Sequence, residues 1–393
     1  MKILMLGNIN LGVKSAPTIH LIEVVKNLKK EKHDVIVFVH NTERYYQDMP
    51  EIKYIPILNI SGIRFYMFDF FSCIYILIYY LKFKPDAVYI RYGLLSLSTI
   101  VSRILRLPCV VEINSIPFDE ARLVKKQNYL FYAIKFIAMY PDWRISCKFS
   151  DKIVVVTDGI KKEIHKKYKL HSDKIVVIPN GANTDLFKPM DKEKVKKELN
   201  FDKNTHYVCF VGNLAPWQGV ECLIQSAPSI LEEIPNTKFL VVGDGVIKEK
   251  LIKIAEKTGV SNEFIFTCSV PYEEVPKYIN TSDVCVVPCI RKRNEKIGLS
   301  ALKAYEYLSC GRTTVVSNIK GISDLIVNSN SGIVVEPENP KELSKAIIKL
   351  IKDEKLRGEM GRNGREYVIK YHTWKNVARR VAEVCKNVVN NKK

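Results

Sequence analysis

The sequence predicts an α/β protein built from two doubly wound parallel sheets. Short runs of β-branched and apolar residues alternate with longer helical patterns along the whole chain. Several short runs are apolar at nearly every position, which is typical of parallel strands buried on both faces. A charged segment over residues 190–204 separates two such series, so the pattern predicts two domains of the same type.

The predicted strands fall into two series of short runs. In the first half they cover residues 2–7, 34–39, 53–57, 86–90, 109–113, 153–157 and 175–178. In the second half they cover residues 207–212, 238–242, 264–266, 284–288, 313–316 and 332–335. Helical patterns separate most of them, for example over residues 19–30, 219–233 and 340–353.

The length of 393 residues also favours two or three domains. Residues 1–190 form the predicted N-terminal domain, and residues 191–372 form the second. A last helix, over residues 373–393, has no strand to cross over to, and we expect it to pack back on the N-terminal domain.

The composition bears on the partners of the protein. The chain has 61 Lys and Arg against 42 Asp and Glu, a net charge of +19, and 47% hydrophobic residues. A disordered chain is excluded, and the charge favours nucleic acids, anionic membranes or phosphorylated substrates. Because no helix-turn-helix, RNP-like or zinc-finger pattern occurs, nucleic acid is the least favoured of these.

The ten cysteines are scattered and never form a CxxC pair. Several lie inside apolar strand-like runs, so we interpret them as reduced core thiols in a cytoplasmic protein. The amino terminus, MKILMLGNINLG, is predicted to be a strand and a glycine loop rather than a signal peptide.

An uncharged apolar run covers residues 70–81, between Asp69 and Lys82. Twelve residues fall short of the roughly 20 that span a bilayer. The run predicts either a buried helix packed on a sheet, which is the simpler interpretation, or a helix that dips into a membrane surface. The second interpretation depends on Tyr75, Tyr79, Tyr80, Lys82 and Lys84.

Glycine loops follow two predicted strands of the second half, at Gly212 with Asn213 and at Gly243. Gln218 then precedes the next helix. Ligands of doubly wound sheets bind at the carboxyl ends of the strands, where backbone amides can hold phosphate groups. A turn that needs a positive φ explains the same glycines equally well.

The segment RKRNEKIGLSALKAYEYLSCG, residues 291–311, is the most informative. Ser300 is predicted to cap a helix that carries Lys303 and Glu306 one turn apart, a pair suited to a phosphate and to the vicinal hydroxyls of a ribose. A solvated ion pair is the alternative. Arg291 and Lys296 lie in a basic loop that fits either a phosphate clamp or plain surface charge. No HExxH, Walker A or GxSxG motif occurs, which disfavours metal catalysis and P-loop chemistry.

Together these segments resemble a known family, the large retaining glycosyltransferase family with the GT-B fold, called family 4 or group 1. The resemblance covers nearly the whole chain. It is carried by KILMLG, VVVTDGIKKEI, KIVVIPNGANTDLFKP, VGNLAPWQGVECLI, FLVVGDG, VPYEEVPKYINTSDVCVVP, GLSALKAYEYLSCGRTTVVS and MGRNGREYV with HTW.

The resemblance implies residue roles by position. Glu306 matches the glutamate that binds the donor ribose, and Gly298, Leu299, Ser300 and Lys303 match the loop and helix start that hold the diphosphate. Gly212, Asn213 and Gln218 match the loop where the family usually has Arg and Lys on the phosphates. Val270 and Pro271 match the strand end that contacts the base, and Gly12 matches the glycine loop near the reacting centre.

The sequence departs from the family pattern in two places. The family has two glutamates separated by seven residues, but Gly298 stands eight positions before Glu306, and the segment fits a variant with SxxKxxEY. With Asn213 and Gln218 in the phosphate loop, the positive charge is expected from Arg291, Lys296 and Lys303. Glu112 and Asn114 occupy the strand end where the family often has a histidine, so they join Gly12, Arg291 and Lys303 as the candidate catalytic residues.

The resemblance implies a metal-independent, retaining glycosyltransferase of the hexosyltransferase type, with a UDP- or GDP-linked sugar as co-substrate and no other cofactor. The expected acceptor is a polysaccharide or lipid-linked glycan in cell-surface glycan biosynthesis. We expect a cytoplasmic protein, peripheral at the inner face of the plasma membrane. The alternatives are a catalytically inactive scaffold or partner subunit of the same fold, and a sugar-nucleotide epimerase.

Overall fold

The computed structural model describes residues 1–12, 15–40, 49–58, 60, 63–91, 95–116 and 143–392. The chain divides into two compact units. Unit 1 consists of Met1–Pro179 together with Trp374–Lys393, and unit 2 consists of Asn180–Thr373. Each unit is built around one parallel sheet.

Unit 1 contains a seven-stranded sheet in the order β3-β2-β1-β4-β5-β6-β7, with parallel pairing throughout. Its strands are β1 (Lys2–Gly7), β2 (Asp34–His40), β3 (Ile52–Ile55), β4 (Ala87–Arg91), β5 (Cys109–Ile113), β6 (Lys152–Val155) and β7 (Ile175–Val177). The strand order reverses between β1 and β4, and ligands of such sheets bind at this switch point.

Four labelled helices lie before the division in the described part of unit 1. They are α1 (Ala16–Lys30), α2 (Arg64–Lys82), α3 (Ser96–Ile104) and α4 (Asp158–Tyr168). Residues 143–149 are also helical. The strands β1, β4 and β5 are buried at almost every position, as their continuous apolar runs predict.

Unit 2 contains a six-stranded parallel sheet in the order β10-β9-β8-β11-β12-β13. Its strands are β8 (His206–Val211), β9 (Thr237–Val242), β10 (Phe264–Cys268), β11 (Val284–Val287), β12 (Thr314–Ser317) and β13 (Gly332–Val335). The switch point lies between β8 and β11. All thirteen predicted strands are therefore present, with ends that differ by at most two residues from the predicted ones.

Nine α-helices flank the described sheet of unit 2 or extend from it. They are α5 (Lys192–Glu198), α6 (Val220–Glu233), α7 (Lys248–Lys257), α8 (Val275–Thr281), α9 (Arg291–Ile297), α10 (Leu302–Ser309), α11 (Ile322–Ser329), α12 (Pro340–Lys352) and α13 (Glu354–Tyr371). Two buried apolar clusters result, one that includes Phe210 and Phe239 and one that includes Phe187 and Tyr307. These clusters fix the strand ends that carry the candidate site.

The observed division lies at Pro179, whereas the sequence placed it after residue 190. Residues 180–190 belong to unit 2 because their polar and apolar groups are paired there. Ser309 donates a hydrogen bond of 2.6 Å from Oγ to the carbonyl of Phe187, and Ala182 donates one of 2.9 Å to the carbonyl of His372. The Pro179-Asn180-Gly181 turn, not the later charged helix, marks the boundary.

The last helix, α14 (Trp374–Asn390), belongs to unit 1. It packs along α1, and the ring of Trp374 stacks on His20 with centroids 5.0 Å apart. An apolar face that includes Val377, Val381 and Cys385 is buried there. The chain thus returns to the first sheet after completing the second.

The apolar run at 70–81 lies within the longer helix α2. One face of α2 is packed on the sheet, where the rings of Tyr75 and Tyr79 contact Phe38 at 4.8 and 5.0 Å. The opposite face is exposed to solvent, and the exposed fractions of Phe70 and Leu81 are 57% and 72%. The buried-helix interpretation is correct for one face and wrong for the other.

The cysteines follow the sequence interpretation only in part. All ten thiols are free, eight of them are buried, Cys73 is half-buried and Cys268 is exposed. Burial raises the pKa of most of the buried thiols, for example that of Cys109 to about 12. These buried side chains therefore act as small apolar core residues.

Candidate active site

The candidate site of unit 2 lies where β8 and β9 end. Gly212 follows β8, Gly243 follows β9, and the two loops pack directly on each other: a Cβ atom at Gly243 would lie 2.2 Å from the carbonyl oxygen of Gly212. Both residues have positive φ, +138° and +137°. The backbone conformation and the lack of space for a Cβ atom therefore both require glycine at Gly243. The alternative interpretation, a turn that needs a positive φ, is also correct.

Lys303 is the buried cation of the site. Its side chain is brought from α10 to the end of β8, where Nζ donates a hydrogen bond of 2.9 Å to Oε1 of Gln218 and lies 3.8 Å from the ring centre of Phe210. A Cβ atom at Gly212 would lie 2.7 Å from Nζ. Burial lowers the pKa of Lys303 to about 8. Gly212 thus leaves the space that the ammonium group occupies.

Glu306 lies one turn further along α10 and is buried too. The hydroxyl of Tyr272 donates a hydrogen bond of 2.8 Å to Oε1. Burial raises the pKa of Glu306 to about 7, although the bond from Tyr272 and the charge of Lys303 both favour the carboxylate. A buried carboxyl group with a perturbed pKa beside a buried lysine is typical of a functional site rather than of a solvated ion pair.

Tyr272 is a site residue that the sequence reasoning missed. It follows Val270 and Pro271, which the resemblance assigned to base contacts, and its ring also lies 5.2 Å from that of Phe187. Nothing in the segment VPYEEVP distinguishes this tyrosine from an ordinary helix-start residue. Its hydrogen bond to Glu306 ties the predicted base-contacting loop to the predicted ribose-binding carboxylate.

Asn213 and Gln218 take different positions. Gln218 is half-buried and bonded to Lys303, whereas Asn213 is exposed and directs its side chain towards the next loop, where a Cβ atom at Gly245 would lie 2.4 Å from Oδ1 of Asn213. Neither residue supplies a charge. Of the three cations expected in place of a charge in this loop, namely Arg291, Lys296 and Lys303, it is Lys303 that is bonded to Gln218.

Ser300 does not cap α10, contrary to the prediction. Ala301 is the N-cap residue and makes no side-chain cap bond. Instead Oγ of Ser300 accepts a hydrogen bond of 2.9 Å from the backbone N–H of Asn180, and its carbonyl accepts one of 2.6 Å from Nδ2 of the same residue. Ser300 therefore fixes the start of unit 2 against the beginning of α10.

The loop before α10 is also engaged within the protein. The backbone N–H of Gly298 donates to the carbonyl of Asn294 at 2.8 Å, and that of Leu299 donates to the carbonyl of Lys320 at 2.9 Å. These two groups are therefore occupied, and so is the N–H of Ala304, which donates to the carbonyl of Ala301 at 3.1 Å. The N–H groups of Leu302 and Lys303, at the start of α10, lie where a helix can hold an anion.

Arg291 is placed differently from the expectation. Its guanidinium group lies 3.1 Å from Oε1 of Glu295 and 2.8 Å from Oε2 of Glu336, and its backbone N–H donates to Glu338. The side chain is half exposed, at 47%. Since two carboxylates already compensate its charge, this geometry counts against the predicted catalytic role.

In unit 1 the structure brings Glu112 and Asn114 together at the end of β5. Both carboxylate oxygens of the buried Glu112 are occupied: Oε2 accepts 2.7 Å from the hydroxyl of Tyr89 and Oε1 accepts 2.6 Å from Nδ2 of Asn114. Arg91 lies 3.5 Å and His20 lies 3.1 Å from Oε1. These contacts tie the carboxylate to four neighbouring side chains, which counts against its predicted catalytic role.

His20 completes this buried cluster. Burial, followed by the charge of Arg91, lowers the pKa of His20 to about 3, so the ring is neutral near pH 7. Burial alone would raise the pKa of Glu112, but the groups around its carboxyl, His20 and Arg91 foremost, hold it below its usual range. Arg91 also donates from NH1 to the carbonyl of Pro17 at 2.6 Å, which ties β4 to the start of α1.

Gly12, the remaining predicted catalytic residue, lies in the turn after β1. Its N–H donates a hydrogen bond of 2.8 Å to Oδ1 of Asn10. The neighbouring Asn8 is buried, and its side-chain amide has no hydrogen-bond partner in the described part of the chain. No group of three or more His, Cys, Asp or Glu side chains that could hold a metal ion occurs among the residues that the structure describes.

Comparison with known families covers both units. A model of the glycosyl transferases group 1 matches residues 191–367, and a model of glycosyltransferase family 4 matches residues 18–186. The chain belongs to the family 4, group 1 glycosyltransferases. The resemblance inferred from the sequence is thereby confirmed at the level of the family.

Characterised members of the glycosyltransferases are distant relatives of the chain. The α-D-kanosaminyltransferase of Streptomyces kanamyceticus is 27% identical over 67% of this chain and 66% of its own length. The GDP-mannose-dependent α-(1-6)-phosphatidylinositol monomannoside mannosyltransferase of Mycolicibacterium smegmatis is 26% identical over 52% and 54%. The matched segments thus span about half to two thirds of these relatives.

Two solved structures resemble the whole chain. Sucrose-phosphate synthase from Thermosynechococcus elongatus superimposes with a TM-score of 0.79 at 18% identity, covering 99% of both chains. Anabaena HepE in complex with UDP-glucose gives a TM-score of 0.76 at 16% identity, covering 98% of this chain and all of that one. These two neighbours confirm the predicted GT-B fold.

Proposed function

We propose that this glycosyltransferase moves a sugar from a UDP- or GDP-linked donor to a polysaccharide or lipid-linked acceptor. The supporting observation is the pair of buried groups on α10, in which Lys303 lies over the Gly212 loop and Glu306 lies beside the Val270-Pro271 segment. A diphosphate fits the first and the hydroxyls of a ribose fit the second. UDP-glucose bound to HepE, and the GDP-mannose dependence of the mycobacterial relative, support a nucleotide-sugar donor.

Unit 2 residues supply the positive charge that the reaction needs. When the bond between the sugar C1 and the diphosphate oxygen breaks, negative charge develops on the leaving group, and Lys303 with the first-turn N–H groups of α10 stabilises it. This assistance requires no metal ion. A fixed ammonium group in a buried site is worth more than one in water, since less solvent screens it.

Retention is the proposed stereochemical outcome. The acceptor oxygen attacks C1 from the face that the diphosphate leaves, and its proton passes to the departing diphosphate oxygen, the nearest base. This route needs no carboxylate of the protein as base or nucleophile, and the buried Glu112, whose oxygens accept hydrogen bonds from Tyr89 and Asn114, is assigned neither role. Its proposed role is to hold Asn114 and the start of α1 in place.

The acceptor is proposed to be a membrane-borne or growing glycan handled at the cytoplasmic side of the plasma membrane. The phosphatidylinositol-linked acceptor named for the mycobacterial relative supports this class. The net charge of +19 favours a peripheral position on an anionic surface.

The experiment that tests this function starts with donor binding. UDP-, GDP- and ADP-sugars are titrated into the purified protein by calorimetry, with EDTA present throughout. Tight binding of one class, and transfer to extracted membrane glycolipid with an unchanged anomeric configuration in the NMR spectrum, is the expected result. Product formed without acceptor would instead identify an epimerase, and absence of donor binding would leave a scaffold.

A further inference from the structure

The exposed side of α2 carries a continuous apolar stripe. It consists of Tyr66, Phe70, Ile74, Leu77, Ile78 and Leu81, all between 38% and 72% exposed. At about 100° per residue these six positions fall within an arc of about 120°. We call these six side chains the outer face of α2. An apolar arc of this size is unusual on a soluble surface and marks an interaction site.

The opposite side of α2 is anchored in the protein. Phe68, Asp69, Ser72 and Ile76 are buried there. Asp69 accepts hydrogen bonds of 2.9 Å from the backbone N–H groups of Leu97 and Ser98, and one of 2.6 Å from Oγ of Ser98. A carboxylate at the start of α3 accepts hydrogen bonds from N–H groups that have no partner within the helix. Its negative charge also interacts favourably with the positive end of the helix dipole. The outer face is therefore held in a fixed orientation and cannot turn inward.

Basic residues mark both ends of the stripe. Arg64 and Lys82 are the first and last residues of α2, and they share one angular position at the edge of the apolar arc, about 160° from Tyr66. Lys84, two residues after the end of α2, is exposed. The acidic residue of α2, Asp69, lies on the buried side. Such an arrangement suits the surface of an anionic bilayer. The apolar side chains can contact the acyl chains while the cations beside them contact the anionic headgroups.

Exposed apolar residues also precede α2 in the chain. Leu58, Ile60 and Ile63 are 63%, 46% and 53% exposed. Tyr66 and Tyr80, at opposite ends of the helix, have the amphipathic ring that favours the headgroup level. Exposed apolar side chains thus occur in the chain before the helix as well as on it.

We propose that the outer face of α2 lies on the surface of an anionic lipid bilayer, with the helix axis parallel to the membrane. Among the described residues α2 is also the helix that is long and apolar enough to cross a membrane. A spanning position would pull Asp69 away from α3 and expose it to lipid, which is costly. Lying on the surface keeps these bonds and buries the same apolar side chains.

A second copy of the chain fits this surface less well. If two α2 helices packed face to face, Arg64 and Lys82 of one would lie near the same residues of the other in either direction, and like charges would meet. An anionic surface removes this repulsion. The proposal deepens the proposed function, since it would present unit 1 to a lipid-linked acceptor, but membrane binding itself requires neither donor nor acceptor.

The test compares vesicle binding of matched variants. The wild-type protein is expected to float with phosphatidylglycerol-rich vesicles at low salt, more weakly at high salt, and poorly with pure phosphatidylcholine. Leu77→Glu with Leu81→Glu is expected to reduce the bound fraction at least about tenfold. The matched control, Val327→Glu with Ile369→Glu, alters two exposed apolar residues of unit 2 by the same charge and should bind as the wild type does.

Insertion is measured separately with Leu77→Trp. Brominated lipids are expected to quench the fluorescence of this variant more strongly than that of the wild type, a result that holds even if the glutamate variant is poorly folded. Equal flotation of the glutamate variant and the control, or no binding by the wild type at low salt, would overturn the proposal. So would a dimer in light scattering that Leu77→Glu with Leu81→Glu converts to a monomer. Donor titration in the same samples separates this failure from a failure of the proposed function.

Discussion

The ammonium group of Lys303 donates a hydrogen bond of 2.9 Å to the side-chain carbonyl of Gln218. Gln218 stands at a position where the resemblance leads us to expect a phosphate-binding cation, and its neutral side chain instead accepts a hydrogen bond from the ammonium group that comes from α10. The same ammonium group lies 3.8 Å from the ring centre of Phe210, and the face of an aromatic ring attracts a cation. We therefore expect Lys303, on the helix, to supply the positive charge that the family pattern places in the loop.

Glu306→Gln is expected to weaken donor binding by about tenfold to hundredfold, because a charged acceptor of two hydroxyl hydrogen bonds is replaced by a neutral one. Tyr272 keeps an oxygen acceptor, so the fold and the melting temperature should be preserved. Titration calorimetry with the nucleotide sugar measures the effect.

The control for this variant is Glu295→Gln, which removes an exposed carboxylate of the same unit that pairs with Arg291. Equal donor affinity in the Glu306→Gln and Glu295→Gln proteins would remove Glu306 from the binding site.

Gly212→Ala is expected to abolish tight donor binding and to lower the free energy of unfolding by about 1 to 3 kcal/mol. The new Cβ would lie 2.7 Å from Nζ of Lys303, and φ at this position is +138°. Denaturant titration together with donor calorimetry measures both effects.

Gly358→Ala is the matched control. It lies in α13, where the nearest atom to a new Cβ is the end of the Arg362 side chain at 3.6 Å, so alanine should be neutral or slightly stabilising. Wild-type donor affinity in Gly212→Ala would show that Lys303 can move without loss, contrary to the prediction.

The sequence was sufficient for the strands because parallel strands buried on both faces are nearly continuous apolar runs, and each such run is local information. The hydrogen bonds that decide side-chain roles are not local. In the sequence Asp69 only marks the edge of an apolar run. In the structure it accepts a hydrogen bond from the backbone N–H of Ser98, 29 residues away in the chain. Ser300 was read as a helix cap, yet it accepts from Asn180, 120 residues away.

The candidate site shows the same limit. Lys303 and Glu306 were predicted from their one-turn spacing, which α10 preserves. Tyr272 and Phe210 were missed because their contacts with this pair cross between sequence segments 34 and 93 residues apart, where neither periodicity nor spacing carries a signal. Arg291 is a candidate because of its charge in a basic loop, but Glu295, one turn on, and Glu336, 45 residues away in the chain, both compensate that charge.

Donor binding is expected to be strongest between about pH 7 and about pH 8. The carboxyl of Glu306 has its pKa raised to about 7, so below that pH it is protonated and accepts ribose hydrogen bonds less well. The ammonium of Lys303 has its pKa lowered to about 8, so above that pH it loses the charge that a diphosphate needs. The diphosphate of a nucleotide sugar stays ionised over this range, so it adds no step of its own.

Two variants assign the limbs of this profile. Glu306→Gln should flatten the acid side, and Lys303→Gln should weaken binding and flatten the alkaline side. The dissociation constant is measured by calorimetry at each pH. A wild-type profile that is flat from about pH 6 to about pH 9 would mean that neither group titrates in the donor site.

Glu112→Gln is expected to destabilise unit 1 by about 3 kcal/mol, because it leaves the buried Arg91 without its counter-charge. Donor binding should stay unchanged, since the residue is assigned a positioning role and both its oxygens are already bonded.

The pH dependence of stability gives a second readout. The pKa of His20 is about 3 in the folded protein against about 6.5 in an unfolded chain, and that of Glu112 is also lowered, so the unfolded state binds more protons as the pH falls. The contributions of His20 and Glu112 to the free energy of unfolding are therefore both present above about pH 6.5 and are lost as the pH falls. The contribution of His20 is lost between about pH 6.5 and about pH 3. Urea unfolding of the wild type and of Glu112→Gln, followed over that range, measures the difference; the variant should lose less stability on acidification than the wild type. Full stability of Glu112→Gln together with complete loss of transfer would instead make Glu112 the catalytic carboxylate.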